Sequence, residues 1–199
     1  MTLDPGELRM NKRLKTLAAL LLSAAAGLSQ AAQYDFAGSL SFDNSVAKIQ
    51  FSVSSAVGDF KFWTDSFNNG SNFDPVIQLW SMSSPTSGVL LGENDDFFGP
   101  AMAGQSSADA TLRLANLTAG NYLLTIVANP NYANTSSYAD GFALDGATPG
   151  ALQGLPGYTA HISADGNGLN VTAVPEPSSW ALMLMGAAGL ALSQRKRKA

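Results

Sequence analysis

Glu93-Asn94-Asp95-Asp96 is the densest run of oxygen-bearing side chains in the sequence. Calcium takes about six to eight oxygens from carboxylates, amides and backbone carbonyls on a loop able to wrap it. Asp74 and Asp43 would add donors if their loops meet this one, so calcium is the one cofactor the sequence offers. The run lacks the alternating acids and closing glutamate of an EF-hand. Its plain reading is a solvated turn in which Asp and Asn cap local backbone groups. His161 is the only histidine. It shares a strand face with Thr159 and Ser163, and a nucleophilic triad could in principle recruit it. No Gly-x-Ser-x-Gly turn is present, and one histidine makes no multi-histidine zinc site. Asp95 and Asp96 are adjacent, so on a strand they face opposite ways, whereas glycoside hydrolysis needs carboxyls facing each other across a cleft. Trp63 or Trp80, if turned outward, could stack on a sugar ring, although sandwich interiors are the commoner home for large aromatics. With no cysteine, thiolate metal sites and thiol nucleophiles are excluded. The expectation is a protein that is not an enzyme.

These groups sit in a body that reads as strands. Ala47, Ile49, Phe51 and Val53 alternate with Lys48, Gln50 and Ser52, the pattern of a strand with one wet face. Tyr34, Phe36, Leu40 and Phe42 share one parity in a first strand over Tyr34–Phe42. Further strands are expected over Asp59–Thr64, with Phe60 and Phe62 opposite Lys61 and Trp63, and over Val76–Ser81 and Val89–Gly92. Others are expected over Thr111–Ala115, Tyr122–Ala128, Tyr158–Ser163 and Leu169–Ala173. Asn116 to Asn121 reads as a hairpin turn, with Gly120 free to take a positive φ. Eight or nine short strands without helical periodicity predict an all-β, antiparallel β-sandwich.

Charge is segregated along the 199 residues. Of the 11 Lys and Arg, four precede residue 16 and four follow residue 194. Between Asp35 and Asp165 three bases face twelve acids, a net charge of −9 that repels nucleic acid. The basic residues Lys12, Arg13 and Lys15, the uncharged stretch Leu17–Leu28 and the small residues Ser29 and Ala31 form a secretory signal peptide. Its cleavage is expected after Ala31 or Ala32, and Met10 is a second candidate start. The Sec translocon and signal peptidase are the implied partners. The expected division is therefore a signal helix in 1–32, a body in 33–173 and a tail in 174–199.

The tail opens with Val174, Pro175, Glu176 and Pro177. The 13 residues from Trp180 to Leu192 are apolar, among them Leu182, Leu184 and Leu190, within an expected transmembrane helix over 179–193. Arg195, Lys196, Arg197 and Lys198 follow. Thirteen helical residues span about 20 Å against a hydrocarbon core of about 30 Å. Trp180 at one interface and the basic cluster at the cytoplasmic one would complete the crossing. The two prolines keep the approach extended and open to a processing enzyme.

This succession resembles the PEP-CTERM sorting signal of Gram-negative bacteria. The resemblance implies recognition by exosortase, a membrane protease. It also implies transient residence in the inner membrane, followed by delivery to the cell surface or an extracellular exopolysaccharide matrix. A second resemblance covers Phe73 to Phe142. The order "FDPVIQLWS", "GVLLGENDDF", "ATLRLANLTAGNYLLTIVA" and "YADGFAL" is similar to the bacterial pre-peptidase C-terminal domain. That implies a jelly-roll-like, non-catalytic accessory domain, with calcium bound in some members. Together they predict an exported structural or adhesive protein; the alternative is a calcium- or carbohydrate-binding module.

Overall fold

The structure, a computed structural model, describes residues 31–97 and 99–171. The expected signal helix and the C-terminal helix, with every tail residue from Val174 to Lys198, lie outside the described residues. Among those described, no helix is long and apolar enough to cross a membrane.

Among the described residues nine strands follow one another: β1 (Ala32–Ser39), β2 (Ala47–Val53), β3 (Val57–Thr64), β4 (Pro75–Ser84), β5 (Ser87–Asn94), β6 (Thr111–Leu117), β7 (Gly120–Ala128), β8 (Gly157–Asp165) and β9 (Leu169–Val171). They form two antiparallel sheets, a four-stranded one in the order β1-β8-β3-β6 and a five-stranded one in the order β5-β4-β7-β2-β9. The chain changes sheet at every connection except β4–β5, so almost no strand pairs with its sequence neighbour. That exception is a tight hairpin across Pro85 and Thr86.

The expected all-β sandwich is therefore present, with three local corrections. Phe42 falls beyond the end of β1 and is 47% exposed, because the chain leaves the sheet after Ser39. Asn116 to Asn121 is not a hairpin. β6 and β7 belong to different sheets, so this is a corner, and Gly120 lies within β7 without a positive φ. The Tyr122 hydroxyl fastens the corner by donating to the Thr118 carbonyl at 2.8 Å.

The inner faces of both sheets supply the main core, including Ile49, Phe51 and Val53 of β2, Phe60 and Phe62 of β3, Leu124 and Ile126 of β7, and Ala160 and Ile162 of β8. Phe51 stacks between Phe60 and Tyr122, with ring centroids 5.7 Å and 5.2 Å away. Burial of this kind contributes about 25 cal/mol per Å² and supplies most of the folding free energy. A second apolar cluster lies on the outer face of the five-stranded sheet, where Val76, Trp80, Leu123 and Val127 are covered by Phe142 from the β7–β8 connection. β9 is the smallest strand, paired to β2 alone through Phe51–Val171, Ser52–Asn170 and Val53–Leu169. The Tyr34 hydroxyl reaches from β1 to the Leu169 carbonyl at 3.2 Å, joining the first and last strands.

Candidate functional site

Glu93 and Asn94 end β5, Asp95 and Asp96 follow it, and Asp74 stands immediately before β4. Antiparallel pairing of β4 with β5 brings these two places together, since Ile77 opposes Asn94 and Gln78 opposes Glu93. The sequence-predicted oxygen donors do meet, but most have internal partners. Glu93 Oε2 accepts from Gln78 Nε2 at 3.0 Å and from the Ala133 amide at 2.8 Å. Asn94 Nδ2 donates to the Thr111 carbonyl at 2.8 Å, and its Oδ1 receives the amides of Asp95 and Asp96. Asp95 accepts from the Tyr132 hydroxyl. This hydrogen bond, with burial next, pushes the Tyr132 phenol up to about 12. Asp96 is exposed. Asp43 binds the Gly150 amide at 2.8 Å instead of joining the group.

Asp74 is the odd member. Asn129 Nδ2 donates to its Oδ2 at 3.1 Å, while its Oδ1 is buried without a hydrogen-bond partner. Burial raises its pKa above the ordinary carboxylate range, against the lowering effect of Asn129, and the charges of Asp96, Asp95 and Asp109 raise it further. A cavity of about 250 Å³ adjoins it, lined also by Phe73, Ala128, Pro130 and Gln153. Among the described residues no three His, Cys, Asp or Glu side chains are arranged to hold a metal ion.

Glu93 also ends a buried relay that the sequence did not announce. Trp80 Nε1 donates to Thr125 Oγ1 at 3.0 Å, and Thr125 Oγ1 donates to Gln78 Oε1 at 2.6 Å. Gln78 Nε2 then meets Glu93. Trp80, Gln78 and Thr125 are all completely buried. In low dielectric such a chain holds only while each donor has its acceptor. It fixes the sheet to the loop through the Ala133 amide. The opposite loop, between β5 and β6, is fixed by Asp109, also completely buried. Its two oxygens accept from the Thr64 hydroxyl, the Phe67 amide, and both the amide and hydroxyl of Ser106.

His161 occupies the outer face of the four-stranded sheet, as its parity with Thr159 and Ser163 predicts. Asp35 of β1 and Trp63 of β3 are its cross-strand partners on either side. Its Nδ1 lies 2.7 Å from Asp35 Oδ1, and its Nε2 lies 3.1 Å from Asp65 Oδ2, outside good hydrogen-bond alignment. The ring stacks on Trp63 at 4.9 Å. Asp65 also accepts from the Thr159 hydroxyl. Both imidazole nitrogens face carboxylates, so neither is positioned to take a proton from a serine. The two carboxylates lie against different ring nitrogens and therefore do not converge on one cation.

The outward tryptophans of the sugar-stacking expectation are absent. Trp63 is 5% exposed and Trp80 is 0% exposed, leaving no ring face to a ligand. Trp63 sits on the outer face, yet it is shielded, and its Nε1 is buried without a partner.

No curated protein matches the chain. Residues 173–198 match the PEP-CTERM protein-sorting motif, a match confined to the tail that lends nothing to the pre-peptidase C-terminal resemblance of the body. The motif in the tail points to an exported protein sorted by exosortase.

Proposed function

We propose that this chain is a non-enzymatic exported protein. Its signal peptide takes it through the Sec translocon, signal peptidase frees it near Ala31 or Ala32, and exosortase acts at the Val174–Pro177 segment. The helix over 179–193 holds it in the inner membrane until then, with Arg195–Lys198 on the cytoplasmic side. The released body serves a structural or adhesive role at the cell surface or in an exopolysaccharide matrix. The observation that carries this reading is the motif match over 173–198. The strand order β1-β8-β3-β6 over β5-β4-β7-β2 supports a jelly-roll-like body. Intact mass of the protein from cells and from medium tests the reading. A secreted species lacking the first 31 or 32 residues and the helix after Pro177 is expected. A membrane-bound species that keeps Arg195–Lys198 and never loses it would make the tail a plain anchor.

A second reading rests on Asp74. Its buried, unpartnered Oδ1, in the field of Asp96 and Asp95, is the observation that favours calcium at the β4–β5 end, where a cation would offset that repulsion. Calcium that binds only the folded state raises the melting temperature. Asp74→Asn should remove that rise. An equal rise in both proteins, or none in either, rejects Asp74 as a ligand.

A further inference from the structure

The loop over the five-stranded sheet stops short of its upper end. Tyr138 and Phe142 close on Trp80, with centroids 5.2 Å and 6.1 Å away, and cover the row Trp80–Leu123. The next row, Ser52–Asn121–Met82, is left open, with Asn121 exposed and Met82 half-buried. Beside it the β4–β5 turn rises with Pro85. The result is a groove of about 440 Å³, within the size range of small-ligand sites, about 300–1,000 Å³.

Its chemistry is uniform. No charged side chain lines it, although the body carries −9. Lys48, one row further along β2, is turned onto the Tyr138 ring at 5.6 Å. Ser83 and Ser84 of the wall are tied into the hairpin, through Ser87 and Thr86. The side chains of Gln50, Ser52 and Asn121, in contrast, have no hydrogen-bond partner among the described residues. Two amides and a hydroxyl therefore stand free around the half-buried Met82.

We infer that this groove binds a neutral polysaccharide chain. A primary amide offers donor and acceptor side by side in one plane, the complement of two neighbouring sugar hydroxyls. The C–H face of a sugar ring packs on the exposed part of Met82. An anionic polymer would meet the field of an acidic body with no cation in the groove to offset it. The inference rests on the matrix reading above and gives it a ligand class and a site.

Native electrophoresis of the full chain through gels holding dextran, mannan or alginate tests it. Retardation is expected in dextran or mannan and not in alginate. Gln50→Ala/Asn121→Ala should restore the mobility seen in a plain gel. So should Ser52→Trp, which fills the groove from its exposed side. Unchanged melting temperatures would show that both variants still fold. No retardation in either neutral gel, retardation confined to alginate, or equal retardation of wild type and folded variants would each overturn the groove. Tail processing, read by mass, stands apart from all of these. A cleaved protein that ignores both neutral gels sinks the groove alone, while an uncleaved one that is retarded sinks only the sorting reading.

Discussion

On the five-stranded sheet the outer rows read Val76–Val127 and Trp80–Leu123, and the β7–β8 connection folds down over them. On the four-stranded sheet one outer row reads Asp35–His161–Trp63. Each face hides a tryptophan, by different means. Trp80 has aromatic neighbours at right angles and a hydroxyl for its N–H. Trp63 has one stacked imidazole and no partner for its N–H. The first face is built as a second core, and its stability depends on packing and on a buried polar chain. The second is a polar cover whose contacts are half-wet and electrostatic, and such contacts contribute little each.

The comparison breaks most visibly at Trp80. Trp80→Ala should cost about 3–5 kcal/mol in urea unfolding, the range for emptying a fully buried aromatic site. A loss below about 1 kcal/mol would mean that the covering loop does not depend on the ring. Thr125→Val sharpens the polar half of the same face. It strands Trp80 Nε1 and Gln78 Oε1 in the interior, at a cost of about 1–3 kcal/mol; an unchanged denaturation midpoint would show that water reaches the relay. Lys48→Ala removes the cation over Tyr138 and should cost about 0.5 kcal/mol, as exposed cation–π contacts do. A larger loss would assign Lys48 to the packing of the loop.

The smallest change in stability is expected on the other face. His161→Phe keeps a ring on Trp63 and removes both nitrogens. The hydrogen bond from His161, then that from Gln33, holds the Asp35 carboxyl below its ordinary value. A carboxyl depressed in this way adds stability that is present above its unfolded value, near 4, and lost as pH falls through the folded one. In the variant Asp35 should titrate closer to its ordinary value in a carboxyl NMR titration, and the acid side of the stability curve should flatten. No movement of Asp35 would leave its depression to Gln33 alone. Asp74 carries the opposite sign. Its raised pKa means stability is lost as pH climbs above the ordinary carboxylate range, a loss that the calcium reading would have the cation offset.

Strands were legible wherever one face stayed wet. β2 has the bounds that its alternation predicts, and β8 extends its expected range by one residue before and two after. β4 was read short, because Met82 to Ser84 look like turn residues and acquire strand geometry only by pairing with β5. The stretch "NPNYANTSSYADG" has the composition of an ordinary turn-rich loop. Tyr132 and Tyr138, with Phe142 just beyond, have no period, and nothing local says that they roof a sheet. The candidate site was half legible. Its oxygen-rich run was visible, but the partners that claim it, Gln78, Tyr132 and Ala133, lie 15, 37 and 40 residues away. Trp63 was placed on the correct face, yet its burial depends on a cover that face parity does not reveal.

The short β9 has a mechanical consequence. It is the last strand among the described residues, so tension transmitted from the C-terminal side enters that part of the sandwich there, through three residue pairs to β2 and one hydroxyl from β1. The wider ladders, such as the eight pairs between β4 and β7, lie behind it. A body pulled by its tail would yield first at that three-residue clasp, drawing Leu169 out of the main core as the tether lengthens.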